Sequence, residues 1–308
     1  MLLDPSDRGR KPITPWIFGL LLSAMLAAVL VYSYRTDIRL EDVLGNMAKK
    51  NEIISQMKTD LLRSVEAEKN AVLADTDEES RTFAKQALDA AAAVDRERAE
   101  LARLVEAGKS GEEIKLLGDF DRCWSEFRKI DQELLAFAVQ NTNLKAAALS
   151  FGKGREAVGR FEQSLSNLIE RQPAAPEGLQ AAKIASAALS TGLGIYALEG
   201  PHIIESRDVR MDEIEAEMNK GVDRVKSAFE ELEGLVKEEG RAQLSEAEAA
   251  FEDFLRIHAE VLSLSRQNTN IRSMELSLGV KRKVTAQCRE SLGALQNAVG
   301  SKAFRATR

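Results

Sequence analysis

His202 stands three residues after Glu199, the spacing at which a carboxylate and an imidazole share one helix face and can ligate iron inside a bundle. Gly200 and Pro201 lie between them and are expected to break the helix, and His258 has no such neighbour. The sequence is therefore read as carrying no metal site. Cys123 and Cys288 occupy unequal places in the repeat described below, where they align with Ala250 and Phe161. They read as two small buried side chains, with a disulfide or a reactive thiol as the alternative. No haem-attachment motif, phosphate-binding glycine loop or nucleophile elbow occurs, so the sequence is read as non-enzymatic and without a cofactor.

Binding is the chemistry left over. Glycine inside a helix costs roughly 1 kcal/mol relative to alanine, yet Gly152, Gly154, Gly159, Gly192, Gly194 and Gly279 fall in helical runs. They serve either close approach of helices or a small cavity bordered by Arg155, Arg282 and Tyr196. The two arginines are 127 residues apart at equivalent repeat positions, and a small anionic ligand is their natural partner. Solvated arginines on helix surfaces are the plainer alternative.

The elements that must position these residues are helices. Of 308 residues 30% are charged and only 5% aromatic, with 6 prolines and 19 glycines, the composition of long amphipathic helices. The net charge of -6 is spread over interleaved acids and bases, which excludes a nucleic-acid surface. Leu117, Phe120, Trp124, Phe127, Ile130, Leu134 and Phe137 form one helical seam. Moved by 127 residues it becomes Leu244, Ala247, Phe251, Phe254, Ile257, Val261 and Leu264, apolar throughout. From Gln140 to Leu165, ten of 26 positions are identical to those 127 residues on, where chance gives roughly two.

The reading is all-α: a single transmembrane helix followed by two tandem up-down-up-down four-helix bundles. Residues 1–12 form a cytoplasmic segment, 13–34 the span, 36–171 the first bundle, 172–178 a linker, 179–300 the second bundle and 301–308 a basic tail. Each "QNTN", at 140–143 and 267–270, is the expected connection between third and fourth helix of its bundle. Asn143 and Asn270 suit helix caps there better than ligand contacts. The short "RQPAAPEG" linker places the second bundle beside the first, with both "QNTN" turns at one end.

The span rests on Pro12 to Tyr34, which contain no charge. Arg8, Arg10 and Lys11 precede it, and Trp16, Tyr32 and Tyr34 sit at its ends. An anchor entering from the cytoplasm is expected, against the alternative of a cleaved signal peptide. No second span is expected, because charges interrupt each later apolar cluster.

The stretch "FDRCWSEFRKIDQELLAFA" and its echo "AFEDFLRIHAEVLSLS", following such an anchor, resemble the four-helix-bundle sensor domain of methyl-accepting chemotaxis proteins. The resemblance implies an extracytoplasmic module on the bacterial inner membrane that binds small molecules or partner proteins and transmits a helix displacement. From Gly300 the sequence ends in "GSKAFRATR", without the second span or the cytoplasmic signalling hairpin of those receptors. A module of this kind needs a membrane protein partner for its output. The alternative is a structural subunit that docks on a larger membrane complex.

Overall fold

The structure, a computed structural model, describes the backbone of residues 15–306 and, within it, all side chains except those of 15–19, 21, 34–40 and 302–306. The segment 1–12, the side chains of Trp16 and Tyr34, and those of 302–308 in the basic tail lie outside the described residues. Every element is helical: α1 Pro15–Leu73, α2 Asp77–Gly108, α3 Gly111–Ala138, α4 Thr142–Leu149, α5 Arg155–Glu170, α6 Pro176–Ile204, α7 Asp208–Leu235, α8 Glu238–Gln267, α9 Thr269–Leu276 and α10 Arg282–Ala306. A π-helical turn joins α4 to α5 at Ser150–Gly154, and another joins α9 to α10 at Ser277–Lys281.

Local chemistry accounts for the boundaries. Thr76 accepts a hydrogen bond from the Glu79 amide and bonds its carboxylate, which starts α2. Ser110 accepts from the Glu113 amide to start α3. Pro176 opens α6, where its missing N–H leaves no bond unmade. At the other end α6 runs through Gly200 and Pro201 to Ile204, contrary to the expected break. Pro201 sits in the last turn, so a single lost hydrogen bond does not end the helix.

Two compact units make up the chain. The first comprises residues 1–58, 95–119 and 290–308. Ile54, Met57, Leu101, Leu292 and Leu295 are fully buried in it. Lys50 and Glu113 form an almost fully buried ion pair at 2.7 Å, and Lys58 and Ser55 both bond Gln296. In α1, Leu20, Leu22, Met25, Leu26, Val29, Leu30, Val31 and Tyr32 are 52–73% exposed.

The second unit, residues 59–94 and 120–289, shows a helix exchange. One core joins Phe161 and Leu165 of α5 to Ala181 and Ala185 of α6, Met218 and Val225 of α7, and Phe251 and Phe254 of α8. Another joins Ala67 and Ala71 of α1, Ala84 and Ala87 of α2, and Leu134, Leu135 and Ala138 of α3, with Leu276 of α9 packed against it. The helix after the first "QNTN" therefore packs with the second copy, and the helix after the second "QNTN" with the first. By these cores the helices group as α1, α2, α3 with α9–α10, and α4–α5, α6, α7, α8.

The chain does not turn back at either "QNTN". Cys123 meets Cys288, Asp131 meets Lys281, Asn143 meets Asn268 and Arg160 meets Asp253, a single antiparallel register along both helix pairs. Asn141 and Asn268 take left-handed φ of 51° and 56°, a one-residue interruption that short polar side chains tolerate. The first free N–H groups of α4 are then capped by the other copy. The Thr142 amide donates to Thr269 Oγ1 at 3.1 Å and the Asn143 amide to Asn270 Oδ1 at 3.1 Å. The reciprocal bonds to Thr142 and Asn143 are both 3.2 Å. The residues are caps as expected, but across the repeat. Asn141 bonds Asp77 and Ser80 at the start of α2, while Asn143 bonds the Ile203 carbonyl at the end of α6. The α1–α2 and α6–α7 connections thus both reach this junction.

By length and composition α6 also qualifies as a membrane span, with a mean hydropathy of 1.3 over its most apolar stretch. It packs instead as a bundle helix, with Ala181, Ala185, Ala188 and Ile195 buried in the core. Gly192 permits this, since a Cβ there would lie 2.4 Å from the Phe161 ring.

Candidate functional site

A π turn inserts an extra residue into an α-helix and turns new side chains inward, and such turns are frequent at functional sites. Both π turns here present their first and fifth residues to the interior: Ser150 and Gly154 in one, Ser277 and Lys281 in the other. Beneath each lies a buried carboxylate on a neighbouring helix.

In the α4–α8 bundle that carboxylate is Glu199, fully buried. Ser150 Oγ donates to Glu199 Oε2 at 2.5 Å, and His258 Nδ1 lies 2.7 Å from Glu199 Oε1. Each oxygen is thus satisfied. One turn further on, His202 Nε2 lies 2.8 Å from Glu215 and Nδ1 lies 2.9 Å from the Ser265 hydroxyl. Burial holds the His202 pKa below its ordinary value of 6.5, against the pull of Glu215. Glu215 is held below 4.5, chiefly by its hydrogen bond from Arg266. Glu199 and His202 thus do share one helix face, yet they bond different partners. Among the described residues no three His, Cys, Asp or Glu side chains gather as a metal set.

In the other bundle the matching carboxylate is Glu68, also fully buried. Lys281 pairs with Asp131 and its Nζ sits 3.5 Å from the centre of the Phe127 ring. Burial lowers the Lys281 pKa and raises that of Glu68; Ser277 and Lys281 oppose the latter only in part. Glu68, Ser277, Lys281, Arg282, Thr285 and Arg289 line a cavity of 250 Å³.

The exchange sends the expected ligand contacts to different places. Arg155 and Tyr196 belong to the α4–α8 bundle. Tyr196 is half-buried with its ring edge-on to Phe254 at 6.4 Å. Burial and the nearby Glu199 raise its pKa, while Arg155 opposes them. Arg282 stands in the other bundle, exposed beside the Glu68 cavity. Of the glycines, Gly152, Gly159, Gly194 and Gly279 have open space where a Cβ would be, and Gly192 serves close helix approach. The cysteines are paired as the Cys123–Cys288 disulfide, in place of two separate thiols. Sequence reasoning missed Glu68, Asp131 and Lys281. Asp131, a charge directly after Ile130 in an apolar seam, was the available signal.

Helical bundles that bury ionisable groups beneath a local helix defect are suited to binding and to helix movement. Residues 16–186 match the four helix bundle sensory module for signal transduction, and the chain belongs to that family. No curated protein matches it. The match covers α1, α2, α3, α4–α5 and the start of α6, and α4–α5 here packs with α6 and α8.

Proposed function

We propose that this protein is a membrane-anchored extracytoplasmic sensor that responds to a small molecule or partner protein and passes its state to a membrane protein partner. Membership in the sensory family supports it. The observation that carries it is the pair of helices running without reversal through both bundles, α3–α4–α5 and α8–α9–α10, each holding a π turn over a buried carboxylate. A shift of either π turn is therefore transmitted along a helix shared by the two bundles. The exposed apolar stretch of α1 supports the anchor, since nonpolar side chains at that density suit lipid. Arg155 beside Tyr196 offers an anionic group a point of attachment.

Two measurements test this reading. A reporter active only outside the cytoplasm, fused after Arg308, should work, and activity of a cytoplasmic reporter alone there would refute the topology. A metabolite screen on the full chain in detergent should find compounds that raise Tm and change the distance between spin labels on α5 and α10. Ligands that raise Tm without moving the labels would refute sensing.

A further inference from the structure

Side chains of other elements hold the end of α6. The last carbonyls of a helix lack partners within it. Here Asn143 Nδ2 donates to the Ile203 carbonyl at 2.7 Å, Asn268 Nδ2 to that of Glu205 at 2.9 Å and Ser265 Oγ to that of His202 at 3.0 Å. The first two bonds are indifferent to pH, because an asparagine amide does not titrate. The third depends on His202. Its ring is fully buried, with Nδ1 2.9 Å from the same Ser265 hydroxyl and Nε2 2.8 Å from Glu215.

Counting protons shows the dependence. A hydroxyl has one hydrogen. When Ser265 gives it to the His202 carbonyl, Nδ1 must donate to Ser265 Oγ. Nε2 must donate as well, since Glu215 is an ionised carboxylate that already accepts from Arg266 at 2.5 Å. That arrangement requires an imidazolium. A neutral ring keeps its hydrogen on Nε2 for Glu215, and its bare Nδ1 draws the Ser265 hydrogen away from the carbonyl. The carbonyl is then left with the Glu205 amide, at a long 3.4 Å.

We propose that His202 is a proton-operated latch between the end of α6 and α8: doubly protonated, it leaves the Ser265 hydroxyl free to hold the His202 carbonyl, and singly protonated, it takes that hydroxyl back. The surrounding charges suit the change. Helix α7 brings Glu215 and Asp212, both bonded by Arg266 of α8, and these three carry a net negative charge that an imidazolium cancels. His258 of α8 is engaged with Glu199 of α6, Glu205 beyond the α6 end is paired with Arg207, and α4 brings Asn143, which does not titrate. Burial holds the His202 pKa below 6.5 against the pull of Glu215, so the second proton arrives in mild acid. The latch belongs to the fold and does not depend on the sensor reading.

The chain has 2 histidines, so the full chain in detergent, made with isotope-labelled histidine, gives two imidazole spectra by NMR, and His258→Gln assigns them. Between about pH 8 and about pH 4 His202 should pass from a neutral ring protonated on Nε2 to an imidazolium. Hydrogen exchange of residues 203–207, corrected for the intrinsic effect of pH, should slow over the same range. Ser265→Ala should keep the neutral tautomer, abolish the pH dependence of that exchange and lower the His202 pKa by about one pH unit, the worth of a hydrogen bond to a charged group. Glu215→Gln, which keeps the side chain's shape, should lower it too, with circular dichroism confirming the fold of both variants. A neutral ring protonated on Nδ1, one charge state across the whole range, or exchange in Ser265→Ala that still follows the wild-type pH profile overturns the proposal.

Discussion

Cys123 on α3 and Cys288 on α10 are joined by a disulfide across 165 residues of sequence, with their Cα atoms 5.5 Å apart. The bond ties the first copy's third helix to the second copy's fourth, which is possible only because those helices are exchanged. A disulfide typically stabilises a fold by about 2–4 kcal/mol. Reductant should accordingly lower the Tm of the wild type. Cys123→Ser should start from the lower value and show no further drop, and a wild-type Tm insensitive to complete reduction would contradict the pairing.

The unreversed chain at "QNTN" makes a distance prediction. Lys129 and Lys153 are both exposed, and 24 residues of nearly continuous helix separate them by roughly 36 Å. A hairpin at Gln140–Asn143 would bring them within about 15 Å, near the spacing of adjacent helices. Spin-label distances between Cys substitutions at the two sites decide between these values.

Lys281 and Asp131 are both almost completely buried. Removing one partner of such a pair leaves the other charge uncompensated and costs about 3–5 kcal/mol. Asp131→Ala should therefore destabilise the protein strongly in denaturant unfolding. The double variant Asp131→Leu with Lys281→Met should recover most of the loss, and additive losses would show that the pair is not coupled.

Glu68 and Glu215 should act oppositely with pH. Burial holds the folded-state pKa of Glu68 above its ordinary 4.5, so its ionisation disfavours folding and stability falls as pH rises through that folded value. Arg266 holds Glu215 below 4.5, so its contribution is present above 4.5 and is lost as pH falls through the depressed value. Glu68→Gln should melt higher than wild type at neutral pH and converge with it in acid. Glu215→Gln should melt lower at neutral pH and converge likewise. Parallel Tm curves across pH for either variant would show that its carboxylate does not titrate differently on folding.

Much of the secondary structure is legible in the sequence because its signals are local. Thr76 with Glu79 and Ser110 with Glu113 start helices where a capping pattern says they should. Trp124 and Phe254 are 4% and 1% exposed, as their seam requires. The pairing of helices is not legible, and the reason is the repeat itself. Two seams that are apolar at every position offer their own fourth helix and the other copy's the same periodicity, so periodicity cannot choose between them. Cys123 and Cys288 were hidden by the same ambiguity. The π turns were hidden by another: Lys281 faces the interior only after one extra residue is counted into the helix, and no composition signal marks that insertion. The unreversed chain at this junction follows from a backbone choice at Asn141 and Asn268, which a polar tetrapeptide permits but does not announce.

The exchange of fourth helices also sets an order of events during synthesis. Residues 142–267 contain a whole bundle, and that bundle can close as soon as α8 has emerged. The helices made first, α1 to α3, cannot close theirs, because the groups that cover Phe127 and Leu134, Lys281 of the second π turn and Leu276 of α9, are made later. For about 130 residues of elongation, at some 5–20 residues per second, the earliest part of the chain waits with an open apolar face. On an emerging chain that face is the natural target of a chaperone, and Cys123 waits there as a free thiol until Cys288 arrives.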